Sequence, residues 1–159
     1  MATQNIIQYL ETTQYYADQR EGSTVAVGPT VMNRRQMETF IAGGSISAND
    51  LVALDFSKTT DGEIAITVVA ADSASANSIA VVGFALADAA SGETVDVTIA
   101  GLHVSANLNG AVAKGDRLSI SATSGQADTY VNTDTVPIIG YAVEAPTGNV
   151  GSVFVIKQM

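Results

Sequence analysis

Cysteine and tryptophan are absent from this chain, and histidine, proline and charged residues are scarce. Without cysteine there is no disulfide and no thiolate metal site, so an apolar core must hold the fold. A chain of 159 residues can do this, since a domain of that size buries about 70% of its unfolded surface. Only 14% of residues are charged, which suits a surface that packs against other proteins. The longest apolar run, residues 79–87, is much shorter than the ~18 residues of a membrane span.

Basic residues are few, and the chain therefore carries a net charge of −9. Residues 1–40 hold four acids and three bases, whereas the rest of the chain holds twelve acids and four bases. An acidic body repels nucleic-acid phosphates and anionic membrane surfaces, so we expect neither as a partner. The first residues have neither the basic start nor the apolar stretch of a signal peptide. The sequence thus predicts a soluble protein made in a cytosol.

Motifs for catalysis, metals and cofactors are also missing. His103 is the only histidine, and it lies in a predicted strand, where we expect it to be hydrogen-bonded or on the strand surface. Asp50 and Asp116 are the one carboxylate pair to consider for acid–base chemistry, but both follow turn residues and are typical of Asp that accepts nearby backbone N–H groups. No calcium loop, zinc-protease motif or phosphate-binding glycine loop occurs. We therefore expect no enzyme, no metal and no cofactor.

Small and β-branched residues are abundant, and they predict short strands joined by tight turns. After Gly44, apolar segments alternate with turn signals such as Asp61–Gly62 and Asn109–Gly110. The predicted strands cover residues 50–56, 63–71, 78–87, 94–106, 116–122, 127–132, 136–145 and 151–158. About eight short strands indicate an all-β domain, a small barrel or sandwich, over residues 44–159.

Two phrases of this domain occur twice in the same order. "VVGFAL" at 81–86 returns as "IIGYAV" 57 residues later, and the turn that ends in Asp50 returns 66 residues later. The pattern predicts two duplicated units, the alternative being chance similarity between Ala/Val/Gly-rich strands. Glycine inside a strand indicates a sharp bend or the close approach of another backbone. The equivalent pairs are Asp50 and Asp116, Gly83 and Gly140, and Phe84 and Tyr141.

Residues 1–43 differ from the rest and are predicted to form an extended N-terminal arm. Its last part is predicted to be a short helix, because Asn33 and Gln36 stand at capping-box spacing and Gly43–Gly44 would end it. Aromatic and Arg side chains are common anchors of protein interfaces, so we expect the arm to bind a partner. The alternatives are an arm folded on its own barrel or a disordered terminus. The candidate contact residues are Ile6, Ile7, Tyr9, Leu10, Tyr15, Tyr16, Arg20, Arg34 and Arg35.

The order "ISANDLVALD … IAVVGFALADAASGETVDVTIAGLHV … AVAKGDRLSIS … VPIIGYAVEAPTGNVGSVFVIKQ" resembles that of tailed-phage capsid cement, or head decoration, proteins. The resemblance covers about residues 44–159. It implies a small tulip-shaped β-barrel that binds the outside of the capsid shell, with the arm reaching over neighbouring subunits. The matching positions, which are fold residues in that family, are Asp50, Leu51, Val52, Gly83 to Leu86, Gly92, Asp116 and Gly140 to Val143.

This resemblance also implies partners and a location. The major capsid protein would be the binding partner, and the protein would be made in the host cytoplasm and carried on the exterior of the virion. Clamping several subunits at once raises the barrier to opening of a pressurised shell. A symmetric oligomer multiplies a weak contact by avidity, so we expect a homo-oligomer, with a trimer favoured over a dimer.

Two other functions are considered. A carbohydrate-binding or adhesive fibre module would show exposed aromatic residues on the barrel, whereas those of the body stand mostly in apolar contexts. An enzyme or sugar-acid-binding domain of the β-clip type is suggested by "AVAKGDRLSI", and it would depend on Asp50, Asp116 or His103. The aromatic residues of the body are Phe56, Phe84, Tyr130, Tyr141 and Phe154.

Overall fold

The computed structural model of the chain describes residues 35–74, 80–131 and 136–157. Within these ranges the chain forms nine strands and one short helix, so the predicted all-β class is confirmed. Each of the eight predicted strands is present inside or close to its expected range. The strands are β1 Gln36–Ala42, β2 Leu51–Leu54, β3 Thr67–Ala70, β4 Val81–Ala85, β5 Thr94–Asn107, β6 Arg117–Ile120, β7 Ala127–Thr129, β8 Gly140–Ala142 and β9 Val150–Val155, and the helix is α1 Asp61–Ile66.

The first five strands close into a barrel. Their order is β1–β3–β2–β4–β5, and β1 pairs both with β3 and with β5. The β1–β3 pairing is parallel, with Ile41 beside Thr67, and the β1–β5 pairing is antiparallel, with Phe40 beside Val95. Closure satisfies the backbone groups that an edge strand would leave unpaired. We call residues 36–100 the first repeat.

The remaining strands form a second ring that shares β5 with the first. The order continues β5–β9–β8–β6–β7, and a parallel bridge between Leu108 and Ala127 brings β7 back to the end of β5. The first half of β5 therefore completes the first ring by pairing with β1 and β4, and its second half belongs to the second ring, where it pairs with β9. Gly101 lies between the two halves with a φ of 93°, a conformation that favours glycine. We call residues 101–157 the second repeat.

Hydrogen bonds at equivalent positions show the duplication in the backbone. The N–H of Ser47 donates to Oδ2 of Asp50 at 2.9 Å, and the N–H of Ala113 donates to Oδ2 of Asp116 at 2.8 Å. In the same turns, the N–H groups of Asn49 and Gly115 donate to the carbonyls of Ala85 and Ala142, at 2.9 Å and 2.8 Å. Asn49 and Gly115 also share a positive φ, at 70° and 89°. The repeated phrases of the sequence thus correspond to one repeated turn and strand arrangement.

Two apolar cores hold the rings. The first fills the barrel of the first repeat and consists of Phe40, Ala42, Ile46, Val52, Val68, Val82, Ala85, Ala89, Val95, Val97 and Ile99. The second joins the repeats, because Leu51, Val81 and Phe84 of the first repeat pack with the inward side chains of the second. Strands β2 and β4 are therefore buried on both faces, which explains their continuous apolar runs LVAL and VVGFA.

The helix predicted at the end of the arm is wrong, since Gln36–Ala42 is strand β1. Phe40 and Ala42 are buried in the barrel, and the strand pairs with β5 over most of its length. The favourable helix signals at Asn33 and Gln36 are overridden by this pairing, because propensity is weak beside tertiary packing. Residues 36–42 thus belong to the sheet, and a division of the chain at residues 43 and 44 stays a prediction.

The strand predicted over residues 63–71 begins as a helix. Helix α1 precedes β3, and Thr60 caps it by accepting the N–H of Glu63 at 3.3 Å while its hydroxyl donates to Oε2 of Glu63 at 2.9 Å. Thr followed three residues later by Glu is the sequence signature of a capping box, although Glu63 here accepts the hydroxyl of Thr60 rather than its backbone N–H. The sequence contains this signature, but the β-branched residues that follow it predict a strand instead of a helix.

Candidate functional site

His103 is a structural residue of the boundary between the repeats. Its side chain is 1% exposed and stacks on the ring of Phe84, with 5.2 Å between centroids. Nδ1 lies 3.1 Å from Oγ1 of Thr98, and Nε2 lies 3.2 Å from Oδ1 of Asn49. Since Oδ1 of Asn49 is an acceptor, Nε2 donates to it, and the direction of the bond between Nδ1 and the Thr98 hydroxyl depends on the tautomer of the ring. The His103 side chain therefore links the turn at Asn49 and the strand of Phe84 to β5.

Replacing His103 with Ala is expected to lower the free energy of unfolding by about 2–4 kcal/mol, because it leaves a cavity beside Phe84 and removes both hydrogen bonds. Urea unfolding at neutral pH measures this change. Val104→Ala is the matched control, since the next side chain of β5 is 52% exposed and its loss should cost less than about 0.5 kcal/mol. Equal effects of the two changes would contradict the structural role.

Asp50 and Asp116 lie in the equivalent turns of the two repeats, and each serves its own turn. Besides the bonds from Ser47 and Ala113, Oδ1 of Asp50 accepts Nδ2 of Asn107 at 2.8 Å. Oδ2 of Asp116 accepts the hydroxyl of Thr129 at 3.1 Å. Carboxylates that accept backbone and side-chain donors in this way fix the shape of a turn, as the sequence predicts for both residues.

Asp55 is a buried carboxylate with a shifted pKa. Burial raises its pKa, but the hydrogen bonds from the hydroxyl and N–H of Ser57 and the charge of Lys58 outweigh burial, so the pKa lies below its usual range. The hydroxyl of Ser57 donates at 2.6 Å, and Nζ of Lys58 lies 3.7 Å from Oδ2. A depressed pKa means that the ionised group stabilises the fold at neutral pH and that this contribution is lost as the pH falls through the folded-state pKa.

Among residues 35–74, 80–131 and 136–157, no group of three or more His, Asp or Glu side chains is placed to hold a metal ion. In the same ranges every buried side-chain nitrogen and oxygen has a hydrogen-bond partner. The described part of the chain also has no helix long and apolar enough to cross a membrane.

The candidate contact residues of the arm fall almost entirely outside the described part of the chain. Arg35 is the first described residue; it is half-buried and leads directly into β1. Contact between the arm and a partner therefore stays a prediction. The candidate residues outside the described ranges are Ile6, Ile7, Tyr9, Leu10, Tyr15, Tyr16, Arg20 and Arg34.

Gly83 and Gly140 stand where a neighbouring backbone leaves no room for a side chain. A Cβ added to Gly83 would lie 2.0 Å from the carbonyl oxygen of Thr98, and one added to Gly140 would lie 2.3 Å from that of Phe154. Thr98 and Phe154 occupy equivalent places in β5 and β9, so both repeats use the same close approach. The two glycines therefore set the distance between the fourth and fifth strands of each ring.

The outer surface of the second repeat carries a row of large side chains across four strands. Leu102 of β5 pairs with Phe154 of β9. Phe154 pairs in turn with Tyr141 of β8, and Tyr141 pairs with Arg117 of β6. Paired residues project from the same face of a sheet, so these side chains are neighbours. Tyr141 is 43% and Phe154 44% exposed, Arg117 is exposed and Leu102 is half-buried. We call these four residues the β8–β9 face.

Most of the equivalent row of the first repeat is buried. Leu51 pairs with Phe84, Phe84 pairs with Thr98, and all three are 0% exposed. Met37, which pairs with Thr98 as Leu102 pairs with Phe154, is 53% exposed. The second repeat covers this row, since Phe84 stacks on His103 and Leu51 lies in the shared core. At the positions of Leu51, Phe84 and Thr98 the same face is thus covered in the first repeat and open in the second.

The β8–β9 face was not identified from the sequence. The repeat that aligns Asp50 with Asp116 also places Arg117 at the position of Leu51. The strand pairing places Phe154 at the position of Thr98. A charged residue in place of a buried Leu, beside two aromatic residues, is the signal that this face of the second repeat is open and apolar.

Comparison with known proteins identifies a family and structures of similar fold. A family model described as phage cement protein matches residues 34–157. The crystal structure of the N base of the head fibre protein gp8.5 from bacteriophage phi29 is similar to the chain, with a TM-score of 0.50 and 21% sequence identity. That similarity covers 77% of this chain and 94% of that chain, and at such an identity it concerns the fold. No curated protein matches the chain at a significant level.

Proposed function

Since the chain belongs to the phage cement protein family, we propose that it binds the outer surface of a phage head and stabilises the contacts between major capsid subunits. Membership of the family gives the chain a structural role on the phage head, as a component of the virion. The match carries the proposal because it spans both repeats from β1 to the end of β9. A cement role requires no catalysis, and we propose none.

The proposed mechanism is mechanical. A shell under internal pressure fails where subunits separate, and a rigid module that holds several subunits slows that separation. The closed first barrel and the core shared by the repeats make such a module, because both rings are joined through β5 and the packing of Phe84. A trimer at a local three-fold axis, favoured here over a dimer, would multiply a weak contact on each chain. The protein would be made in the host cytoplasm and added to the exterior of the head.

The arm is the proposed second contact with the shell. Its 34 residues outside the described ranges include Tyr9, Tyr15 and Tyr16, and aromatic side chains are frequent hot spots of interfaces. Removing the chain up to residue 44 would also remove β1 and open the first barrel, so the arm is better tested by substitution. The change Tyr9→Ser, Tyr15→Ser and Tyr16→Ser leaves the whole barrel sequence intact.

Co-sedimentation of the purified chain with undecorated heads of its source phage tests the proposal. We expect saturable binding by the unchanged chain and at least about 10-fold weaker binding by the triple Tyr→Ser variant. The matched control replaces Gln8, Gln14 and Gln19 of the same segment with Ser and should bind like the unchanged chain. A chain that does not sediment with the heads contradicts the cement role, and equal binding by all three proteins contradicts the role of the arm alone.

A carbohydrate-binding or adhesive fibre module is the second candidate. It is favoured by the exposed rings of Tyr141 and Phe154, which could stack on sugar rings. Binding to a glycan array by the unchanged chain, lost on Tyr141→Ser, would support it. An array without specific signals would leave only the cement role.

A further inference from the structure

The two rings are closed by different lengths of backbone pairing. In the first repeat β1 forms two pairs with β3, and the N–H of Gly43 then donates to the carbonyl of Val68 at 2.8 Å. In the second repeat one bridge, between Leu108 and Ala127, takes the place of the two pairs. The N–H of Asn109 then donates to the carbonyl of Ala127 at 2.7 Å. In the described part of the chain, the backbone therefore joins β7 to β5 over a shorter length than it joins β3 to β1.

A side chain completes the closure of the second ring. Nδ2 of Asn109 donates to Oδ2 of Asp128 at 2.8 Å, and we call this the closing bond. It joins the chain just after β5 to the middle residue of β7. The first ring has glycine, Gly43, at the place of Asn109. Because the Asp128 carboxylate offers only acceptors, the closing bond depends on the amide group of Asn109.

The residue that makes the closing bond is followed by glycine. No other Asn of the chain is followed by Gly. The backbone nitrogen of the residue after an Asn can attack the side-chain carbonyl carbon, and a side chain on that residue hinders the attack. Gly110 has none, and it is exposed in the turn where the N–H of Val112 donates to the carbonyl of Asn109 at 3.3 Å. Water therefore reaches the two residues that the reaction involves.

We propose that Asn109 is a site of spontaneous modification, which the nitrogen of Gly110 converts to aspartate and isoaspartate. A bond forms between this nitrogen and Cγ of Asn109, the bond between Cγ and Nδ2 breaks, and the proton of the Gly110 N–H leaves with the amide as ammonia. Water then opens the resulting cyclic imide at either of its carbonyls, which gives aspartate or isoaspartate. The reaction consumes one water, and no electrons are transferred.

Neither product can make the closing bond. A carboxylate at position 109 has no hydrogen to donate to Oδ2 of Asp128, and two carboxylates at this distance repel each other. Isoaspartate also adds one carbon to the backbone before Gly110, which disturbs the turn to Val112. The modification thus loosens β7 from β5. Its effect on a phage head would rest on the proposed function, whereas the modification itself does not.

Incubation of the purified full chain in warm, mildly alkaline buffer tests the site, with peptide mass spectrometry before and after. We expect the amide of Asn109 to be replaced by aspartate and isoaspartate together, since one imide gives both. Gly110→Ala should slow this at least about 10-fold, which requires a barrier higher by about 1.4 kcal/mol. It should fold normally, because an added Cβ would lie 3.4 Å from Oδ1 of Asn149, an ordinary contact. An unchanged Asn109, or equal rates in the two proteins, would overturn the proposal.

Thermal unfolding of fresh Asn109→Asp tests the consequence of the modification. We expect the Tm to fall by at least about 3 °C, because the closing bond is lost and a like charge is added. Asn149→Asp is the matched control, since it adds the same charge at an exposed position of the second repeat. Adding Asp128→Asn to Asn109→Asp should restore at least about half of the loss, because the new amide can donate to the new carboxylate. Equal Tm values for Asn109→Asp and Asn149→Asp, or no recovery in the double variant, would contradict the role of the closing bond.

Discussion

Gly83→Ala and Gly140→Ala are each expected to lower the free energy of unfolding by at least about 3 kcal/mol, or to prevent folding. The added methyl group would lie 2.0 Å from the carbonyl oxygen of Thr98 or 2.3 Å from that of Phe154. Both obstacles are backbone atoms of a paired strand, so no side-chain rotation can relieve the overlap. The strands must move apart, and this breaks the ladder that joins β4 to β5 or β8 to β9.

Urea unfolding of the purified variants measures this effect. Gly44→Ala is the control, because nothing lies within 4 Å of an added Cβ at that position and its φ is not positive. We expect Gly44→Ala to change the free energy of unfolding by less than about 0.5 kcal/mol. If Gly83→Ala or Gly140→Ala unfolded at the same urea concentration as this control, the close approach of the strands would not be a constraint on the fold.

Most of the fold was open to prediction because its signals are local. The glycines inside strands, the turns at Asp50 and Asp116 and the order of the two phrases indicated a duplicated β domain without any knowledge of tertiary contacts. Strand β1 escaped prediction, since Gln36, Met37 and Glu38 carry helix-compatible side chains and only the pairing with β5 makes them a strand. Closure of a ring is a long-range event, and local propensity contains little information about it.

The surface of the fold was harder to predict than its strands. Phe84 and Tyr141 occupy the same place in their repeats, yet one is fully buried and the other 43% exposed. The two aromatic residues themselves do not distinguish the repeats, because the difference depends on which repeat covers the other; the only local signal is their neighbour, Arg117 in place of Leu51. The two halves of β5 decide this, since they join the rings so that the second repeat lies against the row of Leu51 and Phe84.

Phe84→Ala is expected to lower the free energy of unfolding by about 3–5 kcal/mol, whereas Tyr141→Ala should lower it by less than about 1 kcal/mol. Phe84 is 0% exposed, stacks on His103 and belongs to the core that joins the repeats. Its removal costs the transfer free energy of a phenyl ring and leaves a cavity at the boundary between the two rings. Tyr141 has the same backbone position in the second repeat. Its replacement is therefore a matched control for the loss of an aromatic side chain.

Thermal and urea unfolding of both variants, at protein concentrations below the range of self-association, compare the two positions directly. The concentration is important because association between copies of the chain would add to its apparent stability. At low concentration the cost at Phe84 should exceed that at Tyr141 by at least about 2 kcal/mol, because only Phe84 is buried by the other repeat. Equal costs at the two positions would mean that the second repeat does not cover the first, and the shared core would then have to be rejected.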